Sequence, residues 1–176
     1  MQRSHLLLTI VGPDRIGFVD EVTSLIVARG ANVEESRMAR LAGEFAAFVL
    51  ISIPEDRFDD LTLDLNALRS RGMQVAFRLV SQERATAFGD CRVFDLTVTG
   101  ADHEGIIRSV AHELTLLGVN IADLKSEVVN APETGGPLFN MTARIQVPST
   151  LPTDRLEQRL RQVADQMSVT AEIAEV

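Results

Sequence analysis

A chain of 176 residues that is 45% hydrophobic, with a formal net charge of −8, can bury one substantial core or two small ones. Both halves hold more acidic than basic residues, and there is no Trp or Tyr; this excludes the basic face and the stacking aromatics of direct nucleic-acid binders. The apolar runs are strand-length, well short of the roughly 20 residues of a membrane span, and the first residues have no signal-peptide pattern, so a soluble cytoplasmic protein without a membrane partner is expected.

In chain order, residues 5–11 form a β-rich apolar run ending at Gly12-Pro13. Phe18, Val22, Leu25 and Ile26 then follow at helical spacing, and Gly30 stops that helix. Residues 32–38 and 45–53 read as strands joined by a hairpin at Ala42-Gly43-Glu44. Leu61, Leu65 and Leu68 predict a second helix closed by Gly72, and 73–80 alternates as a last strand.

The second half repeats the order. Residues 93–99 predict a strand, and Ile106, Ile107, Val110, Leu114 and Leu117 predict a helix stripe. Strands follow over 119–129 and 138–147, then a helix carrying Leu156, Leu160 and Val163, and a strand over 168–173.

The repeat reaches individual residues. Gly12-Pro13-Asp14-Arg15-Ile16-Gly17 returns 88 residues later as Gly100-Ala101-Asp102-His103-Glu104-Gly105, and Gly30-Ala31-Asn32-Val33 returns at the same offset as Gly118-Val119-Asn120-Ile121. A period this long indicates two copies of a small domain; solenoid repeats are shorter. Pro54 matches Pro148, 94 residues on, so six residues are inserted in the second hairpin, within 130–137. The polar stretch 82–91 reads as a linker between domains over 1–81 and 92–176. Two βαββαβ units predict an α+β chain of two ferredoxin-like domains in tandem. Each would be an antiparallel four-stranded sheet with two helices on one face.

The first turn of each copy carries the chemistry. Asp14 and Asp102 can cap their own helices. A glycine-bracketed turn into a helix N-terminus also offers free N–H donors to a small carboxylate, and an outward Asp can meet an ammonium group. Asn32 and Asn120 can be local turn residues, but an amide offers both donor and acceptor and can grip both ends of an α-amino acid. His103-Glu104 reads as a solvent-exposed pair on the first helical turn, and His112 as an ordinary helix residue. Cys91 is alone, and His5, His103 and His112 show no metal spacing, so neither metal nor cofactor is expected. No nucleophile elbow, phosphate-binding Lys loop or Ser-His-Asp order occurs, so no catalytic residue is assigned and the chain is expected not to be an enzyme.

The Gly-x-Asp-x-x-Gly turn, followed by a helix and by Gly-x-Asn-[Val/Ile] opening the second strand, resembles tandem ACT domains in both copies. These are small regulatory modules that bind amino acids. The Gly-Pro-Asp-Arg form, with little outside the two domains, is similar to the glycine cleavage system transcriptional repressor family. The resemblance implies a ligand held between the first turn of one domain and the start of strand 2 of its neighbour: residues 12–17 with Asn120, and residues 100–105 with Asn32. The ligand residues so implied are Gly12, Asp14, Arg15, Ile16, Gly17, Asn32, Asp102, Gly105 and Asn120. Ile16 stands where the family commonly has a second Pro, and the second turn departs further, so the first turn keeps the pattern better.

The resemblance also implies a ligand such as glycine or a similarly small amino acid, a DNA-binding transcriptional activator as protein partner, and a homodimer. The alternative is a detached regulatory subunit of an amino-acid or one-carbon metabolic enzyme, or an assembly module without ligand.

Overall fold

Alternation along the first strand decides how the first sheet is built. In the computed structural model, which describes residues 2–80, 90–130 and 135–176, β1 (Arg3–Pro13) buries Leu6, Leu8 and Ile10 and turns Leu7, Thr9 and Val11 the other way. Residues 82–89 of the expected linker and 131–134 of the expected insertion lie outside the described residues.

The strand leads into α1 (Phe18–Ala28), whose Phe18, Val22 and Ile26 lie on one face and enter the core. The helix closes at Gly30, in left-handed backbone with φ 68°. There the N–H of Gly30 donates to the carbonyl of Val27 and that of Ala31 to the carbonyl of Ile26, a double bond pattern that satisfies the free carbonyls of the last turn. β2 (Asn32–Leu41) and β3 (Glu44–Pro54) follow as a hairpin whose two-residue turn, Ala42-Gly43, has both φ values positive. After a single 3-10 turn, α2 (Phe58–Asn66) buries Leu61 and Leu65. It tightens into a second 3-10 segment that carries Leu68, so the predicted second helix is realised in two pieces. β4 (Gln74–Val80) completes the unit.

The second unit has the same plan: β5 (Cys91–Ala101), α3 (Ile106–Leu116), β6 (Asn120–Asn130), β7 (Pro137–Pro148), α4 (Thr153–Gln166) and β8 (Val169–Glu175). The sheets run β2-β3-β1-β4 and β6-β7-β5-β8, antiparallel throughout. The chain divides into two units, Met1–Ala87 and Phe88–Val176, each with its own apolar core between its helices and one face of its sheet.

Three details depart from the sequence reading. Asp14 and Asp102 are not helix caps. Each lies three residues too early, and the caps are Gly17 and Gly105, at φ 83° and 95°, with no side-chain capping bond. Ile107, expected on the buried stripe, is 39% exposed because Ile106, Val110 and Leu114 already fill the core-facing arc of α3. Cys91, expected in the linker, is the first residue of β5 and pairs with Pro148. A β-bulge also interrupts one edge strand of each sheet, β2 and β6, at matching places, between Val33 and Glu35 and between Ile121 and Asp123.

Candidate functional site

Residues 12–17 leave the end of β1 and enter α1 at the same end of the sheet as the tip of the β2–β3 hairpin. Two contacts hold the turn there. The N–H of Asp14 donates to the carbonyl of Gly43 at 3.0 Å, and Arg40 on β2 forms an ion pair with Asp14, Nε to Oδ2 at 2.9 Å. Gly12 is buried where β1 passes β4. A Cβ there would stand 2.6 Å from Met73 Sδ and 3.1 Å from the carbonyl oxygen of Gly72, so the first glycine of the motif sits at a close approach that a side chain could enter only if Met73 moved. The last glycine, Gly17, is required by its left-handed φ.

Between them the backbone is open. The N–H groups of Arg15, Ile16 and Gly17 have no backbone acceptor among the described residues, and Ile16 is fully exposed at the tip. Such a turn, at the positive end of a helix dipole, presents several donors to one anion. The charge around it is arranged in pairs. Arg15 lies 5.2 Å over the ring of Phe18 and pairs with Glu21 on the first turns of α1, and Arg71, after α2, pairs with the other oxygen of the same carboxylate. Glu21 thus draws two guanidinium groups to the side of the turn.

The second turn is built differently. Asp102 keeps the main-chain bond, its N–H donating to the carbonyl of Pro137 at 3.0 Å, so the end of the 130–137 insertion takes the place of the hairpin tip. The arginine–carboxylate pairs are gone: Val128 stands where Arg40 does, Ser109 where Glu21 does, and His103 where Arg15 does. His103 is exposed, as expected, but it is not free. Nδ1 lies 3.1 Å from the carbonyl of Glu104 and Nε2 2.6 Å from that of Met167. Both partners are acceptors, which favours the doubly protonated ring and raises the His103 pKa, the Met167 carbonyl contributing most. Glu104 itself precedes α3 by two residues and is not in its first turn.

The asparagines do not join the turns of their own units. Asn32 pairs with Ser52, and Ser52 with His5, near the start of β1, whereas Asp14 follows the end of that strand. Asn120 likewise pairs with Gln146, opposite Val93, and donates through Nδ2 to Gln146 Oε1 at 2.8 Å. In each unit, therefore, the structure gathers the turn residues together and sets the asparagine at the far end of the sheet.

Residues 4–78, which span the first turn and Asn32, match the ACT domain family model. The first unit matches an ACT domain. The whole chain is 24% identical to the glycine cleavage system transcriptional repressor of Escherichia coli (strain K12), over 96% of this chain and 88% of that one. The crystal structure of an unknown protein from Galdieria sulphuraria matches over 99% of each chain with a TM-score of 0.85 and 33% identity. A crystal structure assigned as a glycine cleavage system transcriptional repressor matches with a TM-score of 0.70, over 100% of this chain and 99% of that one, and at 19% identity shares the fold.

Among the residues around the first turn, sequence reasoning named Gly12, Asp14, Arg15, Ile16 and Gly17 and missed Arg40, Gly43, Arg71 and Met73. Only Glu21, one helical turn after Gly17, was within reach of a local pattern. The others come from strands and turns distant in sequence, with nothing in their own neighbourhoods to mark them.

Proposed function

We propose that the protein is a non-catalytic regulator that senses a small amino acid, glycine or one of similar size, and acts on transcription through contact with a DNA-binding activator. Its modules are residues 1–81 and 92–176, joined by 82–91. The observation that carries this reading is the end-to-end relation to a glycine cleavage system transcriptional repressor, which leaves little of either chain unmatched. The acidic net charge of −8 favours a protein partner over DNA itself.

The first turn suits the ligand in chemical terms. The open N–H groups of Arg15, Ile16 and Gly17 offer a carboxylate the donors that a helix N-terminus supplies. Asp14, held by Arg40 and Gly43, provides the anion for an ammonium group, and an asparagine amide is the group that the motif implies to orient both ends. In the second turn Asp102 and Gly105 keep the backbone plan, but the arginines are lost, so the first turn is the working site in this reading.

The test is thermal denaturation of the full chain against a panel of free amino acids. A ligand at 100 times its Kd stabilises by about 2.7 kcal/mol, and Asp14→Ala should remove that gain. The reading fails if no small amino acid raises the melting temperature, or if Asp14→Ala leaves the gain intact. Capture of partners from extract then separates a transcription factor from a metabolic enzyme, the latter assigning the chain to the regulatory-subunit class instead.

A further inference from the structure

The two sheets share one topology but differ in the face turned away from their helices. In the first, three successive rows run across the strands in the order β2-β3-β1-β4. They are Glu35-Leu50-Leu7-Arg78, Arg37-Phe48-Thr9-Ala76 and Ala39-Ala46-Val11-Gln74. Their neighbours along each strand, such as Leu6, Leu8, Val49 and Ala47, are buried under the helices, which places these rows on the opposite face. The two middle strands of that face are almost wholly apolar, and Phe48 at their centre is 55% exposed.

The second sheet is polar in the matching place. Its rows include Asp123-Arg144-Asp95-Ala174 and Lys125-Thr142-Thr97-Glu172, with an Arg144–Asp95 ion pair of 3.0 Å in the middle. A duplicated fold with one greasy face and one solvated face has specialised the first for burial.

We infer that the open face of the first sheet binds the same face of a second copy of this chain, about a two-fold axis parallel to the strands. The charge pattern selects that occupant. Such an axis sets β2 over the partner's β4 and β3 over its β1, keeping each row level with itself, and sheets packed face to face are near enough to aligned for this to hold. Glu35 then meets Arg78 of the other copy, twice over. Leu50 lies on Leu7, Phe48 on Thr9, and Ala46 on Val11. Arg37 stays beside its own Glu35, 3.2 Å away, at the rim. An acid at one end of a row and a base at the other, with apolar residues between, is complementary to itself under this operation.

Sedimentation velocity of the full chain at tens of micromolar tests this. The wild type should run at twice the 19.3 kDa of the chain. Phe48→Glu, at a half-exposed position, should weaken the dimer about thirtyfold or more, while Thr142→Glu on the second sheet should leave it intact. Glu35→Arg and Arg78→Glu should each weaken it, and the double variant should restore it. Within one copy these two residues lie three strand spacings apart, about 14 Å, so restoration can arise only between copies.

A monomeric wild type overturns the inference, and would leave the face to another protein or to another part of the chain. A dimer indifferent to Phe48→Glu, one equally sensitive to Thr142→Glu, or a double variant that stays weak also overturns it. None of these readouts depends on an amino-acid ligand, so the sensor reading stands or falls separately.

Discussion

Asn32 and Asp14 stand at opposite ends of one sheet: Asn32 is level with His5 through Ser52, and Asp14 follows Pro13 at the other end of β1. The strand between them is roughly 25 Å long. A small amino acid spans a fraction of that length and cannot touch both. In the sensor reading Asp14→Ala should therefore weaken the response to glycine, by about 10- to 100-fold in Kd for loss of a charge-assisted hydrogen bond. Asn32→Ala should leave the first-turn response unchanged. Isothermal titration of the two variants decides it, and equal losses for Asn32→Ala and Asp14→Ala would refute the separation.

Gly12 and Gly100 occupy equivalent places but should differ in tolerance. A Cβ at Gly12 meets chiefly the end of a flexible side chain, Met73 Sδ at 2.6 Å, with the Gly72 carbonyl oxygen at 3.1 Å, whereas one at Gly100 meets Val169 of β8 at Cγ1 (2.7 Å), at Cα (2.9 Å) and at Cβ (3.0 Å). Methionine can swing aside and a paired strand cannot. Gly12→Ala should cost about 1 kcal/mol and Gly100→Ala about 2 to 3 kcal/mol in urea denaturation. The reverse order would contradict the packing described for the two strand ends.

Ala42 holds φ 52° in the hairpin turn, a conformation that an L-residue adopts at a cost. Ala42→Gly should remove this strain, less the greater freedom that glycine has when unfolded, for a net gain of about 0.5 to 1 kcal/mol. A few degrees of added melting temperature would register it. Because the adjacent Gly43 carbonyl accepts the Asp14 N–H, the variant should also keep the turn in place and leave any ligand response unaltered.

His103 should make the second unit sensitive to pH. Its ring nitrogens face two carbonyls, so the folded state favours the protonated form and the pKa is raised above 6.5. The stabilisation is complete below that unfolded value and is lost as pH rises through the higher folded value. The melting-temperature difference between wild type and His103→Gln should be largest in mild acid and shrink in mild alkali. An NMR titration placing the ring at or below 6.5 would contradict the geometry.

The duplication, the order of elements and the glycine-bracketed turns were legible in the residues because each is written locally. Strand alternation, helical spacing and left-handed glycines act over a few positions. Asp14 was found as a turn residue, but its capping role was misjudged, since one or two residues of helix onset decide which group caps and the pattern does not resolve them. Arg40, Gly43 and Arg71 reach the turn from up to 57 residues away, through strand register and a helix exit that no short motif encodes.

By itself the sequence determined that this chain is two βαββαβ modules, each with the same turn, because backbone preference and apolar period are properties of neighbouring residues. The tertiary structure alone decided that the turn and the asparagine of one module stand a sheet's length apart. It alone also aligned Glu35, Leu50, Leu7 and Arg78 in one row, because pairing register is set by how four separated strands pack over a common core.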